Sequence, residues 1–208
     1  MKDKRAAQFV LASASPRRKH LLEKAGYYFT IIPSAVDESA YDTNGITSEE
    51  HTKILALAKA KDVAARFPNA IVMGSDTVVD LDGEIIGKPD DAARAEEITR
   101  KLFSKPHKVI TGLALACVEK DIEIVEADTT IVYPRKLTEE QIAEHIRKGD
   151  WQGKAGAYGI QETGDEFVDH IDGSFTNVMG LPMELTKHFL ESIGVSTNSP
   201  KYLHKTND

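Results

Sequence analysis

Three cations follow one another where the sequence predicts the start of a helix. Ser15 followed by Pro16 is a helix-start pattern, with a capping side chain and then a proline at the first helical position. Arg17, Arg18 and Lys19 then occupy the first turn, where the helix dipole makes each cation unfavourable by up to about 1 kcal/mol. An anion held by the backbone N–H groups and the arginines would offset this cost. The stretch predicts an anion-binding site; the alternative is a solvated basic turn.

A carboxylate, Asp76, closely follows the apolar run 70–74. A continuous apolar run is typical of a central strand covered on both faces. Sheets of α/β proteins present functional groups where such strands end, so we expect Asp76 at a strand end. There it could bind a metal ion or activate a water molecule. The alternative is an aspartate that caps a local turn through its own backbone.

Two lysines have neighbours that favour a role at a phosphate site. Lys59 is flanked on its predicted helix face by Leu55 and Val63, so its stem should pack on the sheet while its amine reaches a cleft. Lys88 lies in a rigid Gly-Lys-Pro turn, where its point charge could meet a phosphate. For either lysine alone, the alternative is a solvated surface position.

Small residues dominate the stretch 153–161, which contains three glycines and two alanines. Such a backbone can approach a ligand closely. Tyr158 could stack on a planar group, and Gln161 could pair with the edge of a base because its amide both donates and accepts hydrogen bonds. The alternative is a flexible connector.

One acidic pair suggests a different chemistry. Asp80 and Asp82 resemble the aspartate pair of haloacid-dehalogenase-type phosphatases, which would make the chain a phosphomonoesterase. However, that motif normally opens a chain, and Glu84 stands where the motif has threonine or valine. Asp82 and Gly83 lie between two apolar pairs, and we therefore predict a hairpin turn there.

The overall composition excludes several classes of function. The chain has 208 residues and a net charge of −7, so sequence-independent binding to a nucleic acid polymer is not expected. The single cysteine, Cys117, excludes an internal disulfide and fits a reducing compartment. No apolar run approaches the ~18 residues that span a bilayer. We expect a cytoplasmic protein without membrane contact, with one domain over residues 1–194 and a polar, frayed tail over 195–208.

The functional stretches lie on an alternation of predicted strands and helices. Long adjacent strands late in the chain imply antiparallel pairing, so we predict an α/β protein with a mixed sheet. The predicted strands are 8–12, 28–33, 70–74, 78–79, 85–86, 109–118, 122–133 and 166–171. The predicted helices are 15–25, 48–67, 90–103, 138–148 and 182–193.

Together these stretches resemble the Maf family of nucleoside triphosphate pyrophosphatases. The resemblance extends from residue 10 to about residue 193, nearly the whole chain. Any one match is weak, but eight matches in register are highly specific. The matching stretches are 11–18, 36–38, 59–61, 74–77, 87–89, 107–112, 154–161 and 177–182.

The resemblance implies a hydrolase that cleaves a nucleoside triphosphate between the α and β phosphates, with Mg²⁺ or Mn²⁺ as cofactor. It also implies a fold like that of the inosine triphosphate pyrophosphatases: an elongated, twisted mixed sheet with flanking helices and two lobes around a deep cleft. Asp76 would be the proton acceptor that activates water, and Glu38 and Asp76 would hold the metal. The residues implied to bind the triphosphate are Ser13, Arg18, Lys59 and Lys88, of which Lys59 and Lys88 are also implied to be catalytic. Lys154 is implied to bind the substrate.

Three positions distinguish branches of the family, and here they are Arg17, Thr77 and Gln161. This set resembles the branch that acts on dTTP, UTP and modified uridine triphosphates. The branch that prefers 7-methyl-GTP carries tryptophan, glutamine and glutamate instead. Two residues depart from the expected pattern: Ser75 replaces the usual alanine, and Gly153 replaces an aspartate whose place Asp150 or Asp165 could take.

Two alternative functions stay open at this point. The chain could be a nucleotide-binding regulator of cell division and septum formation, or a pyrophosphatase that prefers 7-methyl-GTP. The complete set of candidate catalytic residues favours an enzyme, since a protein that only binds has no need of a positioned base. The resemblance also implies a homodimer.

Overall fold

The computed structural model describes residues 8–41, 45–160 and 166–197, in which strands and helices alternate. The strands are β1 Phe9–Leu11, β2 Thr30–Ile31, β3 Ile71–Leu81, β4 Glu84–Ile86, β5 His107–Cys117, β6 Ile122–Pro134 and β7 Val168–Asp172. The helices are α1 Pro16–Lys24, α2 Ser48–Arg66, α3 Ala92–Leu102, α4 Glu139–Lys148, α5 Phe175–Val178 and α6 Met183–Ser192. Two short 3₁₀ turns, Glu38–Ala40 and Ala155–Ala157, complete the described elements.

The seven strands form one mixed sheet, as predicted. Their order is β2-β1-β3-β5-β6-β7, with β4 paired to β3. Strand β1 runs parallel to β2 and β3, whereas the other pairs are antiparallel. A mixed sheet of this kind needs helical crossovers only around its parallel part, and α1 and α2 provide them.

Strand β3 has a gap along one of its two edges. Strand β5 pairs with residues 72–80 and so takes one edge for nearly its whole length. On the other edge, β1 pairs with residues 71–73 and β4 with residues 79–81. Residues 74–78 therefore lie between the ends of two neighbouring strands, and this gap is where the cleft opens.

The predicted position of Asp76 at a strand end is wrong. Asp76 lies near the middle of the eleven-residue strand β3, opposite Gly112 of β5. The apolar run ends at Gly74, but pairing with β5 carries the strand through Ser75, Asp76 and Thr77. Asp76 is nonetheless accessible to a ligand because the opposite edge of β3 is open there.

Small residues bring α2 very close to one face of the sheet. A Cβ atom added to Gly74 would fall far inside the contact distance of the Ala56 carbonyl, and 2.7 Å from the Ala60 nitrogen. Gly112 on β5 meets the backbone of Thr52 in the same way. These glycines let α2 lie directly on the sheet, which brings the Lys59 side chain within reach of Asp76.

The opposite face carries the larger hydrophobic core. Helices α1, α3 and α6 cover it, and its fully buried side chains include Leu22, Leu102, Leu113, Phe167 and Leu190. Consecutive residues of a strand point to opposite faces, so Asp76 faces α2 and Thr77 faces this second layer. The cleft between the two halves of the molecule can thus receive side chains from both faces of one strand.

The hairpin prediction is confirmed. Asp82 (φ 55°) and Gly83 (φ 86°) form the turn between β3 and β4, with the two positive φ angles that a two-residue hairpin turn favours. Asp80 accepts a hydrogen bond from the Gly83 nitrogen at 3.0 Å and another from the Ser48 hydroxyl. Asp80 therefore stabilises the hairpin and the start of α2, which gives no support to a phosphomonoesterase site.

The C-terminal boundary differs in detail from the predicted tail. Val195 is partly buried against the core, and its nitrogen donates to the Leu190 carbonyl at 2.8 Å. Residues 198–208 lie outside the described part, so the frayed tail stays a prediction. Among the residues that the structure describes, none of the helices has the length and apolar character that crossing a bilayer requires.

Candidate active site

The gap beside β3 opens into a cavity of about 540 Å³. It is lined by all of the predicted site residues that the structure describes: Ser13, Arg17, Arg18, Glu38, Lys59, Asp76, Thr77, Lys88 and Lys154. Gln161 lies outside the described residues, directly after Ile160, which lines the cavity. Residues far apart in the sequence are thus brought to one place.

Lys59 joins two carboxylates in the charged half of the cavity. Its Nζ lies 2.7 Å from Asp76 Oδ1 and 2.7 Å from Glu38 Oε1. The Lys59 and Asp76 side chains are only 11% and 9% exposed, whereas that of Glu38 is 51% exposed. The ammonium thus holds two negative groups near each other, and these groups would otherwise repel.

The pKa of Glu38 reflects these neighbours. Burial acts to raise the pKa of this carboxyl, but the hydrogen bond and charge of Lys59 outweigh it, with help from the charges of Lys88 and Arg18. The net pKa is lowered. Glu38 is therefore an anion at neutral pH and available to a cation.

Local structure explains how these charged groups are positioned. Glu38 begins the 3₁₀ turn 38–40, and the Asp37 carboxylate caps this turn by accepting from the Ser39 nitrogen at 3.0 Å. Lys59 lies on α2, as the sequence predicts, one turn from the buried residues Leu55 and Val63 on either side. Lys88 follows β4 and therefore reaches the gap from the far side.

The start of α1 is confirmed as a capped helix N-terminus at the cavity. Pro16 is the first helical residue, and the Ser15 hydroxyl accepts a hydrogen bond from the Arg18 nitrogen. Arg17 lines the cavity from this first turn, and Ser13 lies on the strand side of it. Lys19 pairs on the exposed surface with Glu23 and does not line the cavity.

Arg18 cross-links three segments of the chain. Its Nη1 donates to Ser13 Oγ at 3.1 Å and to the Ser75 carbonyl at 2.9 Å. Its Nη2 donates to Thr77 Oγ1 at 3.0 Å, and its Nε to the Gly180 carbonyl at 2.8 Å. Four of the five N–H groups of a guanidinium are thus used within the protein. Burial lowers the pKa of Arg18, and the charge of Asp76 opposes this shift. A contact of Arg18 with the triphosphate stays a prediction.

The other half of the cavity is largely apolar. Tyr158 is buried there, which raises the pKa of its hydroxyl, and this hydroxyl lies 2.8 Å from His107 Nε2. Phe103 packs edge-on against both rings. The close packing extends to Gly156, where an added Cβ would lie 2.8 Å from a Val79 methyl group. The apolar residues that line this half are Val79, Val109, Tyr158, Ile160, Val178 and Met179.

Three residues that support the cavity wall have no local sequence signal that predicts this role. Thr111 and Asn177 lie in matched stretches, but nothing in their local pattern indicates a role. In the structure, Thr111 Oγ1 lies 3.0 Å from Thr77 Oγ1 and donates to the Asn177 carbonyl at 3.2 Å. His107 likewise holds Tyr158 in place through the contact of its Nε2 with the Tyr158 hydroxyl. The pairing of β5 with β3 brings Thr111 and His107 to the cavity, and α5 brings Asn177.

The two departures from the family pattern have simple local settings. Ser75 is fully buried, and its hydroxyl donates to the Gly180 carbonyl at 3.4 Å, beside the Arg18 Nε bond. Gly153 has φ 68°, with open space where a side chain would stand. Lys154, which follows it, is buried at the cavity wall.

Comparisons with known proteins cover nearly the whole chain. Residues 8–193 match the family model described as Maf-like protein. The dTTP/UTP pyrophosphatase of Ruminiclostridium cellulolyticum is 40% identical over 88% of this chain and 95% of its own. That of Geotalea uraniireducens is 44% identical over 85% of this chain and 90% of its own.

A solved structure shows the same fold. The Staphylococcus aureus Ham1 protein superimposes with a TM-score of 0.50 at 14% identity, over 89% of this chain and 99% of its own. This likeness concerns the fold alone. With the sequence match over nearly its whole length, the chain belongs to the Maf family.

Proposed function

We propose that this protein is a nucleoside triphosphate pyrophosphatase that hydrolyses dTTP and UTP to the monophosphate and pyrophosphate. The observation that carries the proposal is the group formed by Lys59, Asp76 and Glu38 in a cleft with further cations. Phosphoryl transfer needs charge neutralisation and an oriented nucleophile, and this group can supply both. The names of the relatives support the choice of substrate.

The proposed reaction places the triphosphate in the charged half of the cavity. Lys59, Lys88 and the start of α1 bear positive charge, which complements the phosphate oxygens. Asp76 accepts a proton from the attacking water, with Oδ1 held by Lys59 and Oδ2 assigned to the water. The water oxygen bonds to the α phosphorus, the bond from that phosphorus to the bridging oxygen breaks, and pyrophosphate leaves.

A divalent metal fits the residues present. Carboxylate oxygens are the donors that Mg²⁺ and Mn²⁺ prefer, and Glu38 and Asp76 meet at Lys59. Among the described residues no group of three or more acidic, histidine or cysteine side chains is arranged to hold a metal. The metal would therefore be bound by these two carboxylates with oxygens of the triphosphate and water, the usual arrangement for Mg²⁺. It would add charge neutralisation at the phosphates.

The pyrimidine occupies the apolar half of the cavity in this proposal. The aromatic face of Tyr158 and the side chains around it provide apolar surface for a planar base. Thr77 lies on the same face of β3 as these residues, and Arg17 borders them from α1. We assign base recognition to Arg17, Thr77 and Gln161, the last from its place in the sequence.

A triphosphate panel tests the proposal. The purified protein is incubated with Mg²⁺ and, separately, dTTP, UTP, CTP and 7-methyl-GTP, and the products are identified. We expect dTMP or UMP with pyrophosphate. Release of dTDP and inorganic phosphate would indicate a phosphatase, and binding without turnover would indicate a regulator. Faster cleavage of 7-methyl-GTP than of dTTP would overturn the choice of substrate.

The oligomeric state and location are part of the same proposal. We propose a homodimer, which the family resemblance supports, and a cytoplasmic location, where the single thiol of Cys117 would stay reduced. Light scattering coupled to gel filtration measures the mass directly; a value near the 22.9 kDa of one chain would contradict the dimer.

A further inference from the structure

The Thr77 hydroxyl has three protein neighbours at the edge of the cavity. Arg18 Nη2 donates to Thr77 Oγ1 at 3.0 Å. Thr111 Oγ1 lies 3.0 Å from the same oxygen, and the Gly180 carbonyl lies 3.5 Å from it. Thr77 is the half-buried member of this group, whereas Thr111 is fully buried. The hydroxyl protons of Thr77 and Thr111 can therefore each be assigned to an acceptor.

The carbonyl of Asn177 determines the direction of the hydrogen bonds. A carbonyl can only accept, so the 3.2 Å bond between Thr111 Oγ1 and this oxygen uses the single Thr111 proton. Thr111 must then accept the proton of Thr77. Arg18 takes one lone pair of Thr77, and the remaining lone pair is what Thr77 can offer to a ligand.

The opposite assignment is less favourable. If Thr111 donates to Thr77, the 3.2 Å bond to the Asn177 carbonyl is lost. The Thr77 proton then has only the Gly180 carbonyl, 3.5 Å away, as a protein acceptor, and that carbonyl already accepts from two other donors at 2.8 and 3.4 Å. The first assignment uses the shorter contacts and gives both hydroxyl protons an acceptor.

We propose that Thr111 is a positioning residue for base recognition, because it takes the Thr77 proton and leaves Thr77 as a hydrogen-bond acceptor towards the base. The inference rests on the proposed function. Uracil and thymine have one donor on their pairing edge, the N3–H group, and an acceptor-only Thr77 must pair with it. Cytosine has an unprotonated N3, whose lone pair would face that of Thr77 at the same place, and its only donor on this edge is the neighbouring N4 amino group. Cytosine would therefore have to shift in the cleft before it could pair with Thr77. Thr111 therefore helps the cleft to reject CTP without touching the substrate.

Removal of the Thr111 hydroxyl tests this role. Thr111→Val keeps the shape of the side chain but frees the Thr77 proton to turn towards the cleft. We measure kcat and KM for UTP and CTP in the wild type, Thr111→Val and Thr111→Ser. We expect the preference for UTP to fall about fivefold to tenfold in the valine variant, mainly through a lower KM for CTP. The serine variant, which restores the hydroxyl, should recover the preference.

A matched control separates this effect from simple loss of stability. Thr99 is also fully buried, and its hydroxyl donates to the Ala95 carbonyl at 2.8 Å, within α3 and outside the cavity lining. Thr99→Val should leave the ratio of UTP to CTP efficiency unchanged. If Thr111→Val does not fold, Thr111→Ala removes the same hydroxyl and carries the same expectation.

Failure of the proposed function and failure of the Thr111 role give different results. If the wild type hydrolyses neither UTP nor dTTP, the proposed function itself fails. If the wild type prefers UTP and Thr111→Val keeps that preference, or if Thr111→Ser fails to restore it, the role of Thr111 is overturned while the proposed function stands.

Discussion

The Lys59 ammonium nitrogen lies 2.7 Å from Asp76 Oδ1, in a part of the cleft where both side chains are almost fully buried. The same nitrogen lies 2.7 Å from Glu38 Oε1. In a poorly solvated site, a cation between two anions contributes far more than it would at the surface. Lys59 therefore controls the electrostatics of the candidate base and the candidate metal ligand at once.

Loss of the Lys59 charge should impair catalysis and change its pH dependence. We expect Lys59→Met to lower kcat/KM by at least about 10²-fold, the scale for removing one preorganised charge-stabilising group. Lys59 lowers the pKa of Glu38, so its removal raises that pKa and moves the acidic loss of activity to higher pH. The measurement is a pH–rate profile. Lys61→Met, which removes an exposed lysine paired with Glu123, should leave the profile in place.

Replacement of Asp76 should remove the proton acceptor with little change in shape. We expect Asp76→Asn to lower kcat by at least about 10²-fold, the usual contribution of a general base. Asp82→Asn is the control, because Asp82 lies in the exposed hairpin turn, where asparagine tolerates its positive φ. Steady-state turnover of dTTP measures both. A near-normal rate for Asp76→Asn would exclude Asp76 as the base.

The proposed metal site predicts a specific change in metal requirement. Activity should disappear with EDTA and return with excess Mg²⁺ or Mn²⁺. Glu38→Gln removes one of two carboxylate ligands, so the Mg²⁺ concentration for half-maximal rate should rise about 10-fold or more. Glu123→Gln changes an exposed carboxylate outside the cavity and should have no such effect. An unchanged Mg²⁺ dependence in Glu38→Gln would place the metal elsewhere.

Gly74 should tolerate no side chain. A methyl group at this position would collide with the backbone of α2 at Ala56, and a helix backbone cannot move aside locally. We expect Gly74→Ala to lower the free energy of unfolding by about 2 kcal/mol or more. Gly87→Ala is the control, since an added Cβ there meets nothing within 4 Å. Urea unfolding followed by circular dichroism compares the two; equal stability would mean that α2 can shift.

His107 should make stability depend on pH. Burial lowers the pKa of His107 from its ordinary value of 6.5 to about 4. The unfolded chain therefore binds this proton more strongly than the native protein between these values. The contribution of the neutral, buried His107 to the free energy of unfolding is complete above pH 6.5 and is lost as the pH falls towards 4. When the pH is lowered from 7.5 to 5, the free energy of unfolding should fall by about 2 kcal/mol.

Urea unfolding at the two pH values measures this loss. His107→Gln should be less stable at pH 7.5, because the bond to Tyr158 changes, and should lose about 2 kcal/mol less on acidification. His20→Gln, on the exposed face of α1, should keep the wild-type slope. If His107→Gln has the same slope as the wild type, the acid sensitivity comes from other groups.

Local patterns predicted the local structures well. The Ser15-Pro16 pair starts α1, and Asp82 with Gly83 turns the hairpin, because caps and tight turns are determined by residues within a few positions. Lys59 reaches the cleft because its flanking apolar residues fix which face of α2 meets the sheet. Two of the three cations after Ser15 lie where we expect them: Arg17 lines the cavity, and Lys19 does not.

The sequence by itself determined the alternation of elements, their caps and the types of residue available for chemistry. Tertiary structure decided where that chemistry lies. Asp76 is accessible because β1 and β4 leave a gap along β3, and no pattern around residue 76 encodes which strands pair with it. Arg18 binds the backbones of Ser75 and Gly180, contacts that span up to 162 positions of the chain. Strand pairing and hydrogen bonds of this range depend on the whole packed sheet, which is why only the folded molecule settles them.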